Sequence, residues 1–145
     1  MTVKEMQMKL ESLLSNLQQV ASQSISEHTD VMADMNRDQL MEGVDSSGTA
    51  MQKYKSTAYA EFKNDMNSRA GIFNPDLKLT GATHSSIVFQ VQGDKIVNKV
   101  NDSYGLEEKY KTPNSNPFLL TQQSKKELIR TLLQKTFVIK CKQQL

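Results

Sequence analysis

A heptad stripe opens the chain and constrains its fold more than any other feature. Val3, Met6, Leu10, Leu13, Leu17 and Val20 recur at alternating intervals of three and four residues. Only an α-helix gathers such residues on one side, so residues 1–24 are expected to form an amphipathic helix. Thr2 followed three residues later by Glu5 is a capping box that marks its start. Ser22 and Ser24 are its candidate ends. Met8, Leu14 and Ala21 widen the stripe beyond a two-stranded seam. Nearly three heptads suit first a helix packed on its own domain and second one sealed against a neighbouring subunit, and spacing leaves both open.

The rest of the chain reads as helices around a small β region. Val31, Met32, Met35, Leu40 and Met41 have helical spacing, with Ser26 or Asp30 as candidate caps and core filling as the expected use of the methionines. Gly43 to Gly48 is a turn. Ala50 to Ser68 is helix-compatible. Leu77 and Leu79 around Lys78 suggest a short strand stopped at Thr80-Gly81. Ile87, Phe89 and Val91 alternate with Val88, Gln90 and Gln92, the period of a half-buried strand. Gly93-Asp94 closes a tight hairpin onto a returning strand from Lys95 to Val100. Such a hairpin is marginal alone and needs more strands or a helix against it. Residues 101–120 are polar; Asn101 to Tyr104 turn out of the strand, and Lys111 to Asn116 read as a loop. Phe118, Leu119 and Leu120 read as a buried plug, and Pro117 fixes φ ahead of the last helix. Ser124-Lys125-Lys126-Glu127 is a second capping box. Leu128, Ile129, Leu132, Leu133 and Phe137 then fall on one helical face, and Val138 to Cys141 suit either more helix or a short strand. The expected fold is a single α+β domain over 1–145, a small antiparallel sheet packed by helices, with a long N-terminal helix and a C-terminal helix.

Charge is divided along the chain. Residues 1–52 carry three basic and eight acidic residues, net −5, and residues 53–145 carry fifteen basic and eight acidic, net +7. Opposite signs in two segments favour head-to-tail contact between copies, or attraction to a partner of one sign. Lys53, Lys55 and Lys63 lie beside Tyr54 and Tyr59, an interleaving that can stack on nucleic-acid bases or form a tyrosine-anchored helix face with solvated lysines. No run of about 18 apolar residues is present, so no membrane-spanning helix is expected. The N-terminus lacks the apolar run of a secretory signal, and the single Cys141 allows no internal disulfide, so synthesis in the cytoplasm is expected.

Catalytic chemistry finds little footing. His28 and His84 lack ligand spacing, Cys141 has no evident base near it in sequence, and neither phosphate-loop nor dinucleotide glycine pattern occurs. No enzyme activity, cofactor or metal is expected.

Read in order, the segments from Asp45 to Phe137 resemble the virion-morphogenesis and tail-completion proteins of tailed bacteriophages, and the related neck proteins that join head to tail. The resemblance rests on Asp45-Ser46-Ser47-Gly48, then Tyr54-Lys55-Ser56-Thr57-Ala58-Tyr59, then Leu77-Lys78-Leu79-Thr80-Gly81, then Ser86-Ile87, the hairpin, and Pro117-Phe118-Leu119-Leu120-Thr121 before the last helix. It implies a tail-completion-like core over 45–145, with Tyr54, Tyr59, Leu79, Thr80, Gly81, Ile87, Pro117, Phe118 and Leu119 in structural roles. Gly81 would allow a sharp bend, and Phe118 and Leu119 would pin the last helix to the sheet. It also implies a structural virion protein, a ring subunit between portal or connector and tail, made in the host cytoplasm and ending in the virion. The implied ring is homo-oligomeric, six- or twelve-fold, with neck, portal and tail proteins as neighbours and DNA passing through it. Val3, Met6, Leu10, Leu13, Leu17 and Val20 are the candidate interface. A small nucleic-acid-binding accessory protein is the second reading.

Overall fold

A computed structural model describes residues 1–66, 74–78 and 81–145, and the fold is α+β. Helix α1 (Val3–Ser15) starts as expected: Glu5 N–H donates to Thr2 Oγ1 at 3.2 Å, and Thr2 N–H donates to Glu5 Oε2 at 2.6 Å. It does not run unbroken. Asn16, at φ −107° and ψ 7°, ends it and also begins α2 (Leu17–Ser26). The single helix expected to stop at Ser22 or Ser24 is therefore two, the second reaching Ser26. Asparagine is a weak helix former, which favours a break at such a position.

Helix α3 (Thr29–Met41) buries Met32, Ala33 and Leu40. Its N-cap is His28, with no side-chain capping bond, and neither Ser26 nor Asp30 caps it. Helix α4 (Thr57–Met66) starts seven residues after Ala50, where a helix was expected to begin. The intervening stretch is irregular and carries Met51 into the core, with a single bridge pairing Ala50 to Val44. Leu77 was expected in a strand, but its φ is +55°, incompatible with extended backbone. Asp76 Oδ1 accepts from Lys78 N–H at 2.9 Å and closes a turn over Leu77, whose side chain is buried. Leu79 and Thr80 lie outside the described residues. Gly81 has φ +89°, the bend expected of it, and caps the short helix α5 (Ala82–Ser85).

The hairpin forms with strands β1 (Val88–Gln92) and β2 (Lys95–Lys99), antiparallel, pairing Val88 with Lys99 and Gln92 with Lys95. Gly93 supplies the positive φ of +63° that the tight turn needs. Ile87 sits just before β1, buried, rather than opening the strand. Helices α2 and α3 pack on β1, which gives a two-stranded sheet the cover it requires.

Helix α6 (Leu106–Tyr110) lies in the polar stretch for which no helix was expected. Asp102 makes it possible: its two carboxylate oxygens accept from Leu106 and Glu107 N–H at 2.6 and 2.8 Å. The last helical rod comprises α7 (Gln122–Leu128), a π-helical turn (Ile129–Leu133) and α8 (Gln134–Gln143). Thr121, not Ser124, is its N-cap: Ser124 N–H donates to Thr121 Oγ1 at 3.1 Å. The π turn adds a residue to the helical circuit, and Thr131 Oγ1 donates to Glu127 O there at 2.7 Å. The expected single apolar face is therefore split. Leu128 is buried, Leu132, Leu133 and Phe137 are half-buried, and Ile129 is exposed. Val138 to Cys141 continue the helix.

The main core gathers Met32, Leu40, Met51, Leu77, Ile87, Phe89, Tyr110, Phe118, Leu120 and Leu128. Phe118 enters it on a buried, non-helical segment whose carbonyls would otherwise be orphaned. Asn36 Nδ2 donates to Pro117 O at 3.0 Å, Asn98 Nδ2 to Phe118 O at 2.8 Å, and Gln39 Nε2 to Leu119 O at 2.9 Å. These side-chain amides replace the ladder a regular element would provide. The resulting path turns Phe118 and Leu120 inward and leaves Leu119 exposed. Leu119 therefore does not pin the last helix as expected, and Leu120 is the residue that joins the core holding Leu128.

The Gly43–Gly48 turn forms and is stitched to the 112–116 loop. Buried Asp45 accepts from Ser115 Oγ at 2.7 Å, from Ser47 N–H at 2.9 Å, and from the Ser47 and Thr49 hydroxyls. Burial alone would raise its pKa, but these donors outweigh it and hold the carboxyl below its ordinary 3.8. A depressed folded pKa stabilises the fold above the unfolded value and ceases to do so as pH falls through the folded one. Urea unfolding of wild type against Asp45→Asn should show a gap of about 1–3 kcal/mol at neutral pH. That gap should close as pH drops below about 4. A gap independent of pH would contradict the assignment.

Candidate functional site

The expected interface residues divide between core and solvent. Val20 and Leu13 are buried and Leu17 is half-buried, so the C-terminal half of the stripe packs within the chain. Val3, Met6 and Leu10 are 87%, 40% and 43% exposed, and Leu14 beside them is 66% exposed. No residue of α1 belongs to the main core cluster. Lys9 Nζ donates to the carbonyl of Leu145 at 2.8 Å, which sets the bare stretch of α1 beside the end of α8. Val138 and Ile139 of α8 are also exposed.

A second candidate is a cavity of about 610 Å³, within the usual size of a small-molecule pocket. Tyr54, Tyr59, Tyr104 and Tyr110 line it, and they are the only four tyrosines of the chain. Lys53, Lys55, Lys63, Lys78 and Lys109 line it too, and no carboxylate is among the described lining residues. The Tyr54 and Tyr59 rings meet edge to face at 5.1 Å, and Lys109 Nζ lies 5.4 Å from the centre of the Tyr110 ring.

The cavity wall is organised by Asp76. Its Oδ1 lies 2.9 Å from Lys63 Nζ, and both side chains are 4% exposed. The Tyr54 phenol is hydrogen-bonded to the backbone of Asp76. Burial, assisted by the Asp76 charge, pushes the Tyr54 phenol well up, so it stays neutral. Burial also raises Tyr110. His84 Nε2 donates to the carbonyl of Asp76 at 2.7 Å, since a carbonyl only accepts. Burial lowers the His84 pKa and favours the neutral ring. Lys63 is therefore not a solvated helix-face lysine, as one of the two sequence readings had it. Its ammonium is paired with that carboxylate, and no further acceptor meets it among the described residues.

The remaining candidate residues stay apart. His28 Nε2 is 2.7 Å from Thr136 Oγ1, tying α3 to α8, and Cys141 is a half-buried free thiol on α8. Among the described residues no group of His, Cys, Asp or Glu side chains is placed to hold a metal, and no helix is long and apolar enough to cross a membrane. Sequence reading marked Lys53, Tyr54, Lys55, Tyr59 and Lys63 for possible base stacking but missed Lys78, Tyr104, Lys109 and Tyr110. The adjacent Lys109-Tyr110 pair repeated the same interleaving and was the available signal. No protein-family profile, curated protein or solved structure matches the chain.

Proposed function

We propose that the chain is a structural assembly subunit, packing head to tail with its own copies into a ring at a phage head–tail junction. The observation that carries this reading is the bare apolar stripe of α1. Removing Val3, Met6, Leu10 and Leu14 from water would contribute roughly 4–8 kcal/mol. Association costs a comparable amount in lost freedom, so this contact alone is weak and a second one is needed. Charge offers one. Asp30, Asp34 and Asp38 recur one turn apart on the exposed side of α3. The closing helical rod exposes Lys125, Lys126, Arg130, Lys135 and Lys142. An acidic and a basic face on one subunit suit a heterologous contact that closes into a ring. The order of motifs from Asp45 to Phe137 supports the phage setting, with neck, portal and tail proteins as neighbours.

Sedimentation velocity over a concentration series tests the reading. Wild type should populate a species much heavier than the 16.4 kDa chain. Leu10→Asp, at an exposed position, should remain a monomer while its unfolding free energy changes by less than about 0.5 kcal/mol. A wild type that stays monomeric at every soluble concentration would overturn the proposal.

A further inference from the structure

The tyrosine and lysine cavity has a chemistry that ring assembly does not use. We infer that it is a binding site for a nucleoside phosphate, either free or as one unit of a single strand. The inference is independent of the ring. Four cavity lysines, Lys53, Lys55, Lys78 and Lys109, form no ion pair with a described residue. Gathering their charges on one concave wall is unfavourable in isolation and focuses a positive potential there. An anion relieves that repulsion.

Lys63 adds a second, independent indication. A nearly fully buried ammonium held by one carboxylate oxygen at 2.9 Å still has N–H groups with no further acceptor among the described residues, and a ligand oxygen would take them up. The aromatic content narrows the anion further. Tyr104 is 68% exposed and Tyr59 is 42% exposed, so ring surface remains open on the same cavity that holds the lysines. A planar base stacks on tyrosine faces while lysines take its phosphate, a combination that inorganic phosphate cannot exploit. Tyr54 and Tyr110, held neutral, add no negative charge to oppose the ligand.

Isothermal titration calorimetry with thymidine monophosphate, a short oligothymidylate and inorganic phosphate tests this. Tyrosine emission locates the binding, because the chain has no tryptophan and all four tyrosines line the cavity. Thymidine monophosphate should bind with quenching of that emission and weaken several-fold as salt rises. Inorganic phosphate should bind at least tenfold more weakly. Binding of the mononucleotide assigns the free ligand; binding and quenching by oligothymidylate alone assigns the strand. Tyr104→Leu should weaken binding roughly 5- to 100-fold. Lys53→Gln, Lys55→Gln and Lys78→Gln together should remove most of its salt dependence. All four positions are exposed, so circular dichroism should show these variants folded. No binding by either thymidylate, phosphate binding as tightly as the mononucleotide, or binding unchanged in folded variants would each overturn the inference.

Discussion

Asp76→Ala is expected to destabilise the fold by about 3–5 kcal/mol, the cost of leaving a buried charge without its partner. Lys63 Nζ would lose the carboxylate 2.9 Å away, in a place water barely reaches. The same oxygen also accepts from Lys78 N–H and closes the turn that holds Leu77 at φ +55°. Left-handed backbone costs a leucine about 1–2 kcal/mol, so the turn needs that support. Because a domain this size has about 5–15 kcal/mol in total, the variant should unfold at far lower urea. Lys63→Met should also destabilise the fold, because the buried carboxylate loses its ammonium partner. The double variant Lys63→Met/Asp76→Leu should cost less than the sum of the singles, since neither charge is then stranded. Strict additivity in that cycle would show that the pair does not act as a unit.

Phe118→Ala should cost about 3–5 kcal/mol in the same measurement, from lost burial and the void left behind. Phe118 is fully buried among the main core residues. The void cannot readily collapse, because the backbone around it is clamped by Asn36, Gln39 and Asn98. Leu119→Ala, one residue on but exposed, should change stability by less than about 0.5 kcal/mol. Equal effects at the two positions would contradict the described path of this segment.

That contrast shows what the sequence made legible. Period-two alternation with Gly93-Asp94 located the hairpin, because strand period and turn chemistry agree locally. The heptad spacing located the N-terminal helices, and Thr2 with Glu5 their start. Phe118 was read as core, yet Leu119 was wrongly placed beside it. The segment has no regular period, and its facing is decided by amides from α3 and β2 that lie far off in sequence. Leu77 failed for a similar reason: the alternation Leu77-Lys78-Leu79 looks extended, while the Asp76 side chain imposes a turn. Helix α6 was missed because the carboxylate that takes its first N–H groups, Asp102, sits four residues before its first residue. The break at Asn16 and the π turn at Ile129–Leu133 leave weak local marks, so helix lengths and the facing of Ile129 were misjudged. Half of the cavity lining was legible as Lys53 to Lys63. The other half reaches it from residues 77–110, and only the fold brings them together.

The ring itself is tested most directly by a native mass spectrum of the intact chain. One closed stoichiometry, six or twelve copies of the 16.4 kDa subunit, should dominate, and Leu10→Asp should reduce it to single chains. A spectrum of single chains from wild type, or an open-ended ladder of sizes that Leu10→Asp leaves in place, would contradict the account.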